Sequence, residues 1–233
     1  MMEESVYSIA NNQEESRVQS NQEIICERYV AFFDIMGFKD TVARTELSEL
    51  MERISNLMSF VKKQFMEETD FKYSIFSDSI FVFVPKSVEN AFHKLLERIG
   101  KIMSFSINRG FAIKGAVAEG KCMVTLDESP TFFGQPIIDA YCLEEEMVIY
   151  GVAMHNTVER EAVEEAKLGT LFDYKLPLKN GSSNHYVLKW WSDNTSASVI
   201  DLKNIRNNVS GRPRRYIDNT LDCIRESNNL DEG

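Results

Sequence analysis

Asp34 and Asp78 stand where folding alone would not put them. Asp34 interrupts the apolar run Tyr29-Val-Ala-Phe-Phe-Asp-Ile-Met36, and Asp78 separates two apolar runs in Ser74-Ile-Phe-Ser-Asp-Ser-Ile-Phe-Val82. A carboxylate in or at the end of a buried strand is costly unless something pairs with it. If the two runs are neighbouring strands, both carboxylates reach one point, where they can hold two divalent ions about 3.5–4 Å apart. Two such ions activate an attacking hydroxyl and clamp a triphosphate during in-line displacement. Each residue also has an ordinary alternative, Asp34 as the cap of a helix after Gly37 and Asp78 as an Asx-type hairpin turn.

The elements that must position this pair follow from periodicity. Residues 29–36 form a short apolar run rich in β-formers and bounded by Gly37, which reads as a buried strand. From 46 to 68, Leu47, Leu50, Ile54, Leu57, Met58, Val61 and Phe65 recur at three- and four-residue intervals and predict an amphipathic helix. Residues 71–76 and 80–84 read as strands, the second ended by Pro85. Residues 88–107 read as a helix, and 111–117 as a strand ending before Gly120. The order β-α-β-β-α-β is an α+β plan, a ferredoxin-like split βαβ with helices on one sheet face. A helix after Gly134 uses Ile137, Ile138, Tyr141 and Leu143. A strand at 148–152, a helix near 156–166, strands at 171–174 and 186–191, and a last helix near 216–226 complete the reading. The basic cluster Arg206, Arg212, Arg214 and Arg215 reads as a solvated face or a dimer contact.

Composition narrows the partners. The 233 residues carry 26 Lys and Arg against 36 Asp and Glu, a formal charge of −10. That balance argues against a polynucleotide partner, which needs a basic face, and against an anionic membrane surface. It leaves a nucleotide open, because metal can bring the positive charge to a triphosphate. No apolar run approaches the roughly 18–20 residues of a membrane span. The N-terminus lacks the cationic and apolar regions of a secretory signal, and residues 1–27 are expected to form a flexible polar tail. Four scattered cysteines and three histidines offer no zinc pattern, so reduced thiols in a cytoplasmic protein are expected.

The residues also resemble a known family. Phe32-Phe-Asp-Ile-Met-Gly-Phe38 is similar to the FxDIxGF signature of class III nucleotidyl cyclase catalytic domains, and Phe76-Ser-Asp-Ser-Ile-Phe-Val82 to their second metal-binding hairpin. Ile113-Lys-Gly-Ala-Val-Ala-Glu-Gly120 resembles their RxGIxxG strand loosely, with glycines one residue further apart. Residues 133–144 resemble their G-x-x-V-N-x-A-x-R-L helix. The resemblance covers about residues 29–155. It implies a cyclase core over 28–195 followed by a helical extension over 196–233.

By that resemblance Asp34 and Asp78, with the Ile35 carbonyl, would bind two ions of Mn²⁺ or Mg²⁺. Phe33, Ile35, Gly37 and Phe38 would lie along the triphosphate with backbone N–H groups near the phosphates. Lys121 falls at a phosphate-contacting basic position and Lys114 near the strand arginine; for either, an ordinary surface lysine is the alternative. Ser74 and Thr131 stand at the two base-selecting positions, where neither purine-selecting pair is present. Ile138 and Cys142 replace the transition-state Asn and Arg, with Asp139 adjacent. Phe76 shares a strand face with Ser74 and Asp78 by period two and is a candidate wall of the base pocket, or else core.

The pattern G-x-x-I-I-D-A-Y-x-L-E resembles the pyrimidine cyclases of bacterial Pycsar anti-phage systems. That resemblance implies a cytosolic homodimer with active sites at its interface. It would convert UTP to cyclic UMP and pyrophosphate, and the product would activate a separate effector. Cytidylate cyclase, a purine cyclase and a nucleotide-binding domain without turnover are the alternatives. Ser74 and Thr131 can each donate and accept, so the residues leave uracil and cytosine both open.

Overall fold

In the computed structural model, residues 25–38, 42, 46–66, 70–125, 130–191 and 195–231 are described. The segment joining β1 to α1 and most of the expected tail lie outside them, and with that segment the helix-cap alternative for Asp34. The chain runs β1 (Ile25–Ile35), α1 (Leu47–Met66), β2 (Lys72–Phe76), β3 (Ser79–Pro85), α2 (Ala91–Asn108), β4 (Ile113–Thr125), β5 (Thr131–Gly134) and α3 (Gln135–Glu146). It continues with β6 (Val152–Met154), a 3-10 turn (Asn156–Val158), α4 (Glu159–Lys167), β7 (Leu171–Leu178), β8 (Gly181–Leu188), α5 (Thr195–Asn207) and α6 (Arg212–Asp231).

The first six elements keep the expected β-α-β-β-α-β order, and their strands lie side by side as β2-β3-β1-β4. β1 is inserted antiparallel between β3 and β4, which is the split βαβ arrangement. β6 adds parallel to β4, and β8 and β7 continue the sheet to its other edge.

Alternation along β1 decides which face is which. Tyr29, Ala31, Phe33 and Ile35 point into the main core with Leu57, Val61 and Phe65 of α1 and Leu95, Leu96, Ile99 and Met103 of α2. Those helical positions recur at three and four residues, so each helix buries one stripe, with about 1.5–3 kcal/mol from each fully buried side chain. Val30 and Phe32 point the other way, to smaller clusters with Phe81, Phe83, Phe132 and Ala140 of α3. Asp34 is next in that second series.

The structure extends the sequence reading in four places. β1 begins at Ile25, so residues 25–27 are strand. β4 runs through Gly120 to Thr125 because residues 25–28 of β1 pair with it as far as Met123 and β5, which the sequence reading lacked, pairs with its last four residues. The buried run 148–151 precedes β6 and does not form a ladder strand. Its backbone is held by Val148 N–H to the Pro177 carbonyl, Asn219 Nδ2 to the Val148 carbonyl, and Tyr150 N–H to Thr220 Oγ1. Those last two contacts come from α6, whose Ile217, Cys223 and Ile224 join the main core together with Leu202 of α5. The C-terminal helices are therefore part of the same core. Of the basic cluster, Arg206 pairs with Asp218 between α5 and α6, and the other three arginines are exposed.

Candidate active site

Two hydrogen-bonded elements bring the aspartates together. Asp34, the last residue but one of β1, pairs across the ladder with Ser79 of β3. Ser77 and Asp78 form the tight turn between β2 and β3, with Ser77 in the left-handed region at φ 57°. The Ile35 N–H donates to the Asp78 carbonyl at 3.1 Å and fastens this turn to the end of β1. Asp78 is thus the sequence neighbour of Asp34's own partner. Both residues are partly exposed.

Direct cross-strand partners share a face. The row through Asp34 is Phe76, Ser79, Asp34 and Lys114, and the next row inward is Ser74, Phe81, Phe32 and Ala116. Ser74 and Phe76 therefore lie on the same face as the metal-binding candidate Asp34. Phe76 is 80% exposed, which corrects the core alternative for it.

Lys114 is not a surface side chain either: it is 3% exposed and lies against Glu144, which is 2% exposed at the end of α3. The ammonium donates to the Glu144 backbone carbonyl at 2.8 Å. The Glu144 Oε1 is equally close, 2.8 Å from the same nitrogen, but out of line for a hydrogen bond. It is held by charge alone. Burial raises the Glu144 carboxyl to about 7 against the opposing pull of Lys114, and the Asp34 charge pushes it further the same way. Glu144 is the residue the sequence reading missed. Its only signal was an acidic triplet at the end of an amphipathic helix, and nothing in that pattern marks one of three as buried.

The remaining expected positions divide. The Phe33 and Ile35 side chains belong to the helix-side core, so only their backbone can face a ligand. The Ile35 N–H is spent on Asp78 and the Met36 N–H on the Ala112 carbonyl at 2.8 Å, so neither is available to phosphate. That corrects the expectation that the whole segment from Phe33 would offer N–H groups. Gly37 turns the chain at φ 75° on the exposed side of this edge, and Phe38 beside it is half-buried.

Lys121 and Thr131 are not brought to the aspartates of their own chain. Lys121 pairs with Glu27, seven residues beyond the Asp34–Lys114 pair. That is about 23 Å of strand, and the odd count turns its side chain to the other face. Thr131 pairs with Thr125 further along, at the β5 hairpin. Within one chain both are too far from Asp34 to share a site with it. On α3, Ile138 and Cys142 are exposed, Tyr141 packs on Phe32 with ring centroids 5.5 Å apart, and Asp139 accepts a hydrogen bond from Gln135 at 2.8 Å.

Three clefts of 430 to 570 Å³ elsewhere on the chain include neither aspartate, and the face that carries Asp34 is covered by α3 on its Lys114 side and exposed at Phe76. Among the described residues no cluster of three or more His, Cys, Asp or Glu could by itself hold a metal. Two carboxylates and a backbone carbonyl are hard oxygen donors, and one or two carboxylates completed by substrate phosphates is how Mg²⁺ is commonly bound. The donor set fits such an ion in the presence of a triphosphate. No described helix is long and apolar enough to cross a membrane.

No protein-family profile and no curated protein matches the chain. Solved structures do. The adenylyl cyclase CyaB from P. aeruginosa superposes with a TM-score of 0.55 at 15% identity, over 70% of this chain and 94% of that one. The guanylate cyclase domain of RhGC from Catenaria anguillulae, in complex with GTP, gives 0.53 at 14%, over 70% and 96%. A bacterial light-regulated adenylyl cyclase gives 0.55 at 11%, over 78% and 98%. The fold is that of the class III nucleotidyl cyclase catalytic domain.

Proposed function

We propose that the protein is a pyrimidine nucleotide cyclase that converts UTP to 3′,5′-cyclic UMP and pyrophosphate. The observation that carries the reading is the pairing of β1 with β3 in a cyclase fold, in which Asp34 pairs with Ser79 and the neighbouring Asp78 carbonyl is fastened to the Ile35 N–H at the end of β1. Divalent ions bound there, Mn²⁺ or Mg²⁺, would lower the pKa of the ribose 3′-hydroxyl and neutralise the departing pyrophosphate. Asp34 and Asp78 hold and orient the triphosphate through those ions, and the Ile35 carbonyl is their third donor. Ser74 and Phe76, in the rows at and beside Asp34, face the base. With Ser74 and Thr131 at the two base-selecting positions neither purine-selecting pair is present, which supports a pyrimidine base, and UTP over CTP rests on the resemblance and not on a residue. Cytidylate cyclase is the nearest alternative. The product would serve as a messenger in anti-phage defence, activating a separate effector.

Lys121 and Thr131 could serve an Asp34 only from a second copy, so their assignment to the site requires a homodimer with composite sites. Exposed Phe76, Ile138 and Tyr141 on and beside this face are apolar surface for that contact. Complementation tests both claims. Asp34→Ala, Asp78→Ala and Lys121→Ala are each expected to abolish or sharply reduce cyclisation. Mixing Asp34→Ala with Lys121→Ala chains is expected to restore activity, because half of the sites in a mixed dimer carry neither change. Full activity in both aspartate variants refutes the metal assignment, and no recovery on mixing refutes the composite site.

The exposed Ile138 and Cys142 at the positions of the family's Asn and Arg favour a second reading, a nucleotide-binding domain without turnover. Binding of a nucleoside triphosphate without release of pyrophosphate would establish it.

A further inference from the structure

Lys114 is the direct cross-strand partner of Asp34, on the same face of the sheet. Such partners hold their Cβ atoms about 4.5–5.5 Å apart. An uncompensated ammonium on the residue beside Asp34 would oppose any divalent ion there. It is compensated, because the Glu144 carboxylate lies 2.8 Å from it and its backbone carbonyl accepts its hydrogen bond. Both side chains are almost wholly buried, and the Glu144 Oε1 has no hydrogen bond. Buried ion pairs are often no more stabilising than apolar residues of the same volume. This one stands directly behind the metal-binding edge.

Resting on the metal reading above, we propose that Glu144 is a positioning residue. It neutralises and fixes Lys114, so that the ammonium does not oppose divalent ions at Asp34 and Asp78, and the balance of the pair sets the affinity of the site for metal. Glu144 sits in the last turn of α3 and Lys114 at the start of β4, so the pair also ties that helix to the metal edge.

The test is Mn²⁺ binding to the full chain at pH 8, read from the electron paramagnetic resonance of free Mn²⁺, with folding checked by circular dichroism. Glu144→Gln leaves the ammonium uncompensated and is expected to weaken Mn²⁺ binding by about tenfold or more, as a unit charge within several ångström of a divalent ion does. Lys114→Met removes the ammonium together with the pull that holds the buried Glu144 carboxyl down, so that carboxyl takes up a proton and Mn²⁺ binding is expected to stay within about threefold of the unaltered protein. Lys114→Met with Glu144→Gln removes both charges and is expected to return within about threefold of the unaltered protein, so that loss of Lys114 rescues Glu144→Gln as in a double-mutant cycle. A merely structural pair would shift melting temperature and leave affinity alone, or weaken binding in all three variants. Either result overturns the assignment. If Glu144→Gln does not fold, Glu144→Asp, which keeps the charge but draws it back from the ammonium, must bind Mn²⁺ at least about threefold more weakly than the unaltered protein; equal affinities overturn the assignment. Asp34→Ala separates the two levels. If the unaltered protein binds no Mn²⁺, or Asp34→Ala binds it equally, the metal reading fails and this assignment falls with it. If Asp34→Ala abolishes binding while Glu144→Gln leaves it unchanged, only this assignment fails.

Discussion

Gly115 is the position at which one methyl group should do most damage to the site. It lies on β4 opposite Phe33 of β1, one residue from the Asp34–Lys114 pair. A Cβ there would stand 2.3 Å from Phe33 Cδ1 and 2.6 Å from the Phe32 carbonyl oxygen. Carbon contacts settle near 3.5–4.0 Å, so the ring or the strand must retreat by about 1 Å or more. Phe33 is packed in the main core and the Phe32 carbonyl is backbone, so neither can swing aside cheaply. Overpacking of this kind costs about 1–3 kcal/mol and sometimes more. For a chain of this length each 1 kcal/mol lowers the melting temperature by about 2–4 °C. Gly115→Ala is therefore expected to lose about 4–10 °C by scanning calorimetry. Gly100, in the middle of α2, has an ordinary helical backbone, and a methyl group added there would meet nothing within 4 Å. Gly100→Ala is expected to gain up to about 1 kcal/mol from helix propensity. Phe33→Leu combined with Gly115→Ala should cost less than the two changes added, because the smaller side chain vacates part of the clash. A Gly115→Ala protein that melts with the unaltered one, or strict additivity with Phe33→Leu, would refute the close approach of β1 and β4 on which the placement of Asp34 depends.

Two further outcomes follow from burial and charge. Phe76→Ala removes an 80% exposed ring, so stability should change by less than about 0.5 kcal/mol while cyclase kcat/KM falls about tenfold or more, as loss of base stacking does; unchanged kinetics would remove Phe76 from the site. Burial, with Tyr216 nearby, raises the Tyr150 phenol to about 12 from its ordinary 10. The unfolded chain thus ionises first, and stability is unaffected below pH 10 and falls as pH rises towards 12, by up to about 3 kcal/mol. Tyr150→Phe should remove that part of the alkaline loss in denaturant titrations, and an identical pH profile in both proteins would show that α6 does not seal this residue.

The parts of the fold legible in the sequence are those where one local pattern decides the outcome. The stripe Leu57, Val61 and Phe65 makes α1 readable from a local pattern, and the interruption of two apolar runs marks Asp34 and Asp78 as candidates, although both are partly exposed and come near each other only through the pairing of β1 with β3. What escaped depends on long-range pairing. The run 148–151 has the composition of a strand, yet its hydrogen bonds go to Pro177, Asn219 and Thr220, up to 71 residues away. β4 runs past Gly120 because residues 25–27 of β1, and then β5, lie beside it. α5 buries little more than Ser198 and Leu202, too few positions to make a stripe. The character of Lys114 turned on a carboxylate 30 residues further along the chain. Lys121 and Thr131 were placed by motif position, and a motif position does not say which chain's site a residue serves.

The most direct test of the proposed cyclase is an assay of the purified full chain with Mn²⁺ and each of ATP, GTP, CTP and UTP, resolving cyclic products by mass and measuring pyrophosphate. The expected result is cyclic UMP with equimolar pyrophosphate from UTP, lost in both Asp34→Ala and Asp78→Ala. Cyclic CMP from CTP would keep the enzyme class and change the base. Cyclic product from a purine alone would contradict the pyrimidine assignment, and no cyclic product from any of the four would contradict the cyclase itself.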